Sequence, residues 1–500
     1  MNIRKISIKI FASLLLVPGL VGCKDLMDTN PATGLGDEQV LRSVTNLNMM
    51  LEGTYRDMHF GREGLTFYRG VAGSAMYIDV SGNDIVMVNV SSGPHLSVYN
   101  FAPPRYSGDE ASGMGFQIWN DMYNLINACN IIIDNVTTAT GDEVLATNIL
   151  GQALAIRGYS YFQLIRNFQR TYTVAGREAP GVILRTSSLD NVHMGISTVG
   201  AVYDQIIKDL KAAKVELKDF QRRTKKDQVD QYVAAGILAR VYLIMNDWEA
   251  CEAEADFVLQ KYNTLMTKEQ FRSGLTDVSS IQEVMWATYQ SNDLSFGYDN
   301  PRSFWRNYAD FEKPAWSYGA LMANEGFVKL FDPAEDRYQF WNRADGFPKM
   351  WAYDKWFEAE VDGKILGDLP LMRGAEMLLM RAEARANQGN TAGALEDLKT
   401  LQAARAVPAA KMTNTADKNQ LLEEIYIERR KELLGEGVTG MFDLLRLNRP
   451  LERDGHHTGQ GLFDVPANAY NFLCQIPSRE ISINDALSSA DQFPLPKPVN

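Results

Sequence analysis

Apolar residues recur at spacings of three and four along much of this chain, the period of a helix that buries one face. Residues 40–58 form one such stretch. Residues 116–135 form another, with Ile118, Met122, Leu125, Ile126, Cys129 and Ile133 on a common side, and a third covers about 142–168. Between the first two, residues 61–115 are rich in Gly and Ser and carry little regular pattern, so a loop region is expected there.

Two later stretches predict the same helical hairpin. Over 231–259, Ala235, Leu238, Ala239 and Tyr242 share one face, a turn follows at Asn246 and Asp247, and Trp248, Cys251, Ala255 and Val258 line a second helix. Over 371–401 the equivalents are Ala375, Leu378, Leu379 and Ala382, a turn at Asn387, Gly389 and Asn390, then Ala394, Leu398 and Leu401. Small residues at a crossing let two helices approach closely, and larger ones fill the space beside it. The small positions and turns fall at tetratricopeptide spacing, with Arg385 standing where the first hairpin has Tyr242. Gly158 and Tyr161 suggest a third such unit, whose second helix, 200–217, follows a loop at 169–198. Insertions between these units must leave the helical stack as loops or caps, the usual place for function.

One insertion has its own composition. Residues 286–356 hold six of the eight tryptophans, Trp286, Trp305, Trp316, Trp341, Trp351 and Trp356, and 19 aromatic residues in all. Such a block cannot be one exposed patch, so most of its rings must pack in a core. Those that do not would suit sugars, whose C–H faces stack on indole and phenol rings while nearby Asn, Asp, Arg and Gln bind hydroxyls. Residues 289–293 and 305–307 offer that mixture.

The N-terminus reads differently. Arg4, Lys5 and Lys9 precede an apolar run over 10–21, and Gly22 and Cys23 follow. This is the order of a secretory signal ending in a lipobox. The run is about half the ~20 residues that span a bilayer, so 1–22 is expected to be removed and Cys23 to carry lipid, with 23–36 as a tether. Without the leader's three positive charges the net charge moves from −12 to −15 (−12 − 3), which does not favour nucleic acid. Arg222, Arg223, Lys225 and Lys226 read as a solvated helix end. Cys129, Cys251 and Cys474 form no disulfide framework or metal pair, and Cys129 and Cys251, in apolar helical patterns, are expected to be buried free thiols.

Signatures of catalysis are scarce. There is no HExxH, P-loop, GxSxG or GxGxxG pattern, His456 and His457 lack a spaced metal-ligand partner, and no cofactor is implied. Glu428, Arg429, Arg430 and Glu432 are spaced for ion pairs within one helix. Carboxylate neighbours such as Glu335 and Asp336 leave an all-α glycoside hydrolase open, because sequence does not show whether two carboxyls face each other across a cleft.

Six ordered segments carry a family resemblance. Residues 153–168 resemble ALRAxxYFxLVRxFG, 203–217 resemble YxxIxxDLxxAxxxL, and 234–248 resemble AAxALLARVYLxxGxW. Residues 368–376 resemble DxPLxRYAE, 428–446 resemble ERRxELxxEGxRxxDLxR, and 476–484 resemble IPxxEIxxN. These are segments of the SusD/RagB family, surface lipoproteins of Bacteroidetes nutrient uptake, and Lys24, Asp25 and Asp28 resemble the export signal of such lipoproteins. Gly374 replaces the Tyr of the fourth segment, Gly435 and Val438 loosen the fifth, and Gln169 replaces the Gly after the first.

The resemblance implies a mainly α fold: a SusD-like superhelix of four tetratricopeptide-like pairs with a loop-rich, aromatic-rich remainder. Residues 37–500 would be a single domain with an inserted loop region at about 265–365. It implies a non-catalytic surface protein anchored in the outer membrane. Its partner would be a TonB-dependent, SusC-like barrel, and its cargo a glycan or, in some members, a peptide. Candidate contacts in the matching loops are Tyr77, Asn83, Asp84, Tyr289, Asn292, Trp305, Arg306, Trp316 and Tyr318. A pure tetratricopeptide scaffold binding only protein would leave the aromatic block unexplained.

Overall fold

The computed structural model describes the chain from Leu41 to Phe493, apart from residues 61–69, 88–95, 102–112, 191–192, 274, 276, 289–320, 344–349, 354, 356–358, 362–363, 367, 454, 456 and 458–460. The signal, Cys23 and the tether therefore lie outside the described residues.

Four helical pairs follow one another: α1 (Val44–Phe60) after which comes α2 (Gly70–Val80), then α3 (Met114–Val136); α4 (Glu143–Phe168) with α5 (Val199–Glu216); α6 (Gln231–Met245) with α7 (Trp248–Leu259); and α8 (Gly374–Asn387) with α9 (Thr391–Ala404). α1 packs on α3, α3 on α4, and each later helix on the next through α9, with α10 (Lys418–Leu433) closing against α8 and α9. α11 (Gly440–Arg446) packs on α2. The fold is mainly helical, as the periodicity and the resemblance both implied.

Local chemistry places the turns. Asp142 caps α4 by accepting from the backbone N–H of Val144 and Leu145, a contact typically worth about 1 kcal/mol. At the α6–α7 turn Asn246 takes the left-handed conformation (φ 58°) and Asp247 accepts from Ala250 N–H, so two residues end one helix and start the next. Gly389 (φ 86°) and Asn390 do the same between α8 and α9. Close approach is equally specific. A Cβ on Gly151 would lie 2.6 Å from Leu217 Cγ, and one on Gly158 3.1 Å from Leu210 Cγ, both across the α4–α5 crossing. Arg385, the odd residue in the second hairpin, bonds Glu252 of α7 at 2.8 Å and Asp397 of α9 at 3.0 Å. It ties one hairpin to the next, whereas Tyr242 engages Lys211 of α5.

Strands are short. β1 (Ile85–Met87), β3 (Leu321–Asn324), β5 (Met350–Tyr353) and β4 (Trp341–Arg343) form an antiparallel sheet in the order β1-β3-β5-β4. β2 (Val284–Thr288) pairs with β8 (Leu369–Arg373), and β6 (Ala359–Val361) with β7 (Lys364–Leu366).

Several expectations are corrected. The stretch 61–115 is not all loop, because α2 and β1 lie within it. α2 is apolar nearly all round, so it shows no amphipathic stripe, and its described side chains are largely buried between α1 and α11. The Arg222 cluster is not a solvated helix end: α5 has already stopped, Arg222 donates to Tyr262 Oη at 2.5 Å, and Arg223 pairs with Asp227 and Glu52. The charges of α10 pair across the fold instead of along their helix, with Arg429 on Asp443 and Arg430 on Asp84. Cys129 and Cys251 are buried thiols as expected, and Cys474 is buried too, outside any disulfide.

Candidate functional site

Tyr289, Asn292, Trp305, Arg306, Trp316 and Tyr318 lie outside the described residues, but the two ends that hold their segment do not. It begins after Thr288 on β2, whose five residues are all buried. There Trp286 is fully enclosed and donates from Nε1 to Asp227 O at 3.2 Å. It ends at Leu321 on β3. Register sets Met87 opposite Leu321, and Trp341 opposite Tyr353. The chain therefore leaves β1, enters β3 and leaves β5 at one end of the sheet.

Asn83 and Asp84 sit at the other end, where Asn324 N–H donates to Asp84 O at 3.0 Å. The structure corrects two of the early-loop candidates. Asp84 is 7% exposed, and Arg430 clasps its carboxylate through Nε and Nη2 at 3.0 and 2.5 Å. Tyr77 is 1% exposed with its hydroxyl 3.9 Å from Cys474 Sγ. Neither can meet cargo without being dug out of the interior. Asn83 is half-buried; its carbonyl accepts from Asn324 Nδ2 and its side-chain oxygen from Glu452 N–H. Asn83 and Asp84 brace the sheet through Asn324, and Tyr77 packs in the interior.

The rings described within the aromatic block mostly pack as expected. Phe327, Phe331 and Trp341 form a buried edge-to-face cluster with centroids 5.3–5.9 Å apart, worth about 0.5–1.5 kcal/mol per pair beyond area burial. Trp351 and Tyr338 are half-buried neighbours.

Beneath this frame lies a buried ion cluster. Five cations, Arg337, Lys355, Arg373, Arg405 and Lys431, meet five carboxylates, Glu283, Glu335, Glu428, Glu432 and Glu436, with every side chain at most 6% exposed. The charges cancel. Arg373, the last residue of β8, donates to Glu283, to Glu432 at 3.0 Å and to Glu436 at 2.6 Å. Arg405 reaches Glu283 and Glu432, and its guanidinium lies 4.6 Å from the Phe271 ring centre. Arg337 precedes β4 and Lys355 follows β5, and both bond residues of α10 or its C-terminal turn. β4 and β5 are thus riveted through their flanking residues to a scaffold helix.

Electrostatics follow from crowding. Burial resists ionisation of Glu432 and Glu436, but Arg405 and Arg373 outweigh it at Glu432, and Arg373 and Lys355 at Glu436, holding both carboxyls below the usual carboxylate range. Burial wins at Lys355, whose ammonium is held below its ordinary range despite Glu436. Among the described residues these carboxylates are closed over by cations and removed from solvent, an arrangement for holding structure and not for acid–base work on a substrate.

Further pairs join the segments recognised in the sequence. Arg157 is bidentate on Asp209 at 2.8 and 2.7 Å, Arg240 on Glu376 at 2.7 and 2.6 Å, and Arg446 bonds Asp443 and Glu383. Sequence reasoning had singled out most of these residues without seeing that they meet. Arg337, Lys355 and Glu283 were missed altogether, for they lie in irregular segments where nothing local marks a buried charge.

Two family descriptions match the chain: a SusD-like family described as starch-binding and associating with the outer membrane, over residues 94–243, and the SusD family, over residues 342–493. SusD-like protein P2 of Formosa agariphila is 29% identical over 251 residues, 49% of this chain and 45% of that protein, so the match spans under half of the relative's length. SusD-like protein P38 of the same organism is 22% identical across 90% of this chain and 93% of its own. A crystal structure of a SusD-like carbohydrate binding protein from Bacteroides vulgatus shares 26% identity at a TM-score of 0.79, covering 91% of this chain and 98% of that one. With its ordered motifs joined by these ion pairs on the same helical architecture, the chain belongs to the SusD/RagB family.

Proposed function

We propose that this chain captures glycans at the outer face of the cell, lipid-anchored through Cys23, and passes them to a TonB-dependent, SusC-like outer-membrane barrel without chemistry on the cargo. The observation that carries the reading is the near whole-length likeness to a carbohydrate-binding SusD-like protein. The aromatic stretch between β2 and β3 supports it with rings and hydroxyl-binding side chains. Tyr289, Asn292, Trp305, Arg306, Trp316 and Tyr318 are its proposed cargo contacts. Among the described residues no helix is long and apolar enough to cross a membrane, so attachment falls to the lipid on Cys23. Stacking plus a few hydrogen bonds gives modest affinity, which suits a protein that must release its load.

Calorimetric titration of the purified protein with a glycan panel and with a mixed-peptide digest tests the cargo. Saturable heat from at least one glycan is expected. Heat from peptides alone would replace the glycan reading with an oligopeptide one, and new reducing ends in the glycan samples would make the chain an enzyme.

A further inference from the structure

One cleft among the described residues lies away from the aromatic block. It encloses about 480 Å³ where α6, α8 and α11 end, between Asn246, Asn387 and Asn448, with Trp248 and Tyr426 in its walls. That is within the size range of small-molecule sites, about 300–1,000 Å³. We propose that this cleft is a second carbohydrate subsite, for a neutral sugar segment, so that one chain holds a long glycan at two points. The proposal rests on the glycan-capture reading above.

Its charges select the ligand. Arg446 is spent on Glu383 and Asp443, and Arg449 on Glu423. Three helix C-termini end here, and the negative ends of their dipoles repel an anion, while a cation would have to displace the guanidinium groups that already pair with Glu383, Asp443 and Glu423. A neutral polyol meets neither penalty. Apolar lining is limited to Val174, Leu422 and Leu447 plus ring faces, too little for the continuous stripe that an amphipathic helix needs.

The remaining groups fit sugar chemistry. Trp248 is half-buried, and no aromatic ring or cation stacks on it among the described residues. It lines the cleft, where an indole is the side chain best suited to stack on a pyranose. Tyr426 is 8% exposed, its ring covered by Arg449 at 4.2 Å, and no hydrogen bond engages its hydroxyl among the described residues. Burial pushes that hydroxyl's pKa up to about 12, so it stays a donor at any physiological pH. Asn246 and Asn448 are exposed residues of the lining, both with left-handed backbone at helix ends (φ 58° and 52°); Asn448 Oδ1 accepts from Asn468 Nδ2, which leaves its amide N–H groups as donors.

The test is a titration of the wild-type protein, Tyr426→Phe and Trp248→Ala with malto-, cello- and laminari-hexaose. Tyr426→Phe deletes only an uncommitted hydroxyl, so it keeps the experiment meaningful if Trp248→Ala folds poorly. Two binding events per chain are expected in the wild type and one in Trp248→Ala, with Tyr426→Phe weakening the same event about tenfold. Apparent affinity for the parent polysaccharide should fall at least about tenfold in Trp248→Ala, as two-point attachment is lost. A single event that both variants leave unchanged overturns this subsite and leaves the glycan-capture reading standing. No heat from any hexaose or polysaccharide with the wild type removes both.

Discussion

Arg373 Nη1 and Glu432 Oε1 lie 3.0 Å apart, 59 residues distant in the chain, with neither side chain exposed to solvent. One closes a strand beside the aromatic block and the other stands on the last long helix of the scaffold. Their pair is the clearest sign that the loop-rich part is held by charge as much as by apolar packing.

Removing Arg373 should therefore be severe. Arg373→Leu leaves Glu283, Glu432 and Glu436 short of a cation in the interior, and breaking a buried pair from one side costs about 3–5 kcal/mol. Chemical denaturation should show a loss of that size. A change below about 1 kcal/mol would mean water already reaches the cluster.

Acid should act on the fold in two stages. Burial lowers His59 to about 4, from 6.5 when free, and the Arg223 charge adds to the fall. The unfolded chain then binds the proton first, so stability present above pH 6.5 is lost as pH falls toward 4. Glu428, Glu432, Glu436 and Asp443, all held low by neighbouring cations, keep their contribution above the ordinary carboxylate range and lose it only below. His59→Phe should remove the first stage, up to about 3 kcal/mol, and leave the second, as read from melting temperature against pH.

Asp79 should slope the opposite way. Burial lifts its carboxyl to about 8, although Gly435 and Gly437 donate to Oδ2. Its folded pKa exceeds its unfolded one, so its contribution is complete below pH 3.8 and is lost as pH rises through 8. Asp79→Asn should match the wild type near pH 4 and be the more stable protein at pH 8. Equal pH profiles would contradict this.

Gly374 explains its own departure from the family segment. A Cβ there would lie 2.1 Å from Tyr262 O, a backbone atom that cannot swing aside. Gly374→Ala should cost at least about 1–3 kcal/mol, as forced overpacking does, and the family's Tyr should be worse. Gly435, another of the departures, has φ 85°, where a side chain is strained.

What was legible in the sequence was local. Caps and turns announce themselves within a few residues, so the Asn246–Asp247 and Gly389–Asn390 turns were readable; that most rings of the aromatic block pack inside was readable too, but not which ones. α2 was hidden because a helix buried on all sides has no polar face to give it a period. The ion cluster was hidden because pairing between Arg373 and Glu436, or Arg430 and Asp84, depends on tertiary approach, and charge spacing alone suggested bonds along α10. Tyr77 and Asp84 look like cargo residues by type, and only burial shows them to be supports.

The central claim is that the stretch between β2 and β3 grips sugar through its rings. Titrating Trp305→Ala and Trp316→Ala with whichever glycan gives the strongest wild-type heat tests it most directly. At least one variant should lose tenfold or more in affinity, given about 1–2 kcal/mol for a lost stacking face, with an unchanged melting temperature. Wild-type affinity in both single variants and in the double one would contradict it.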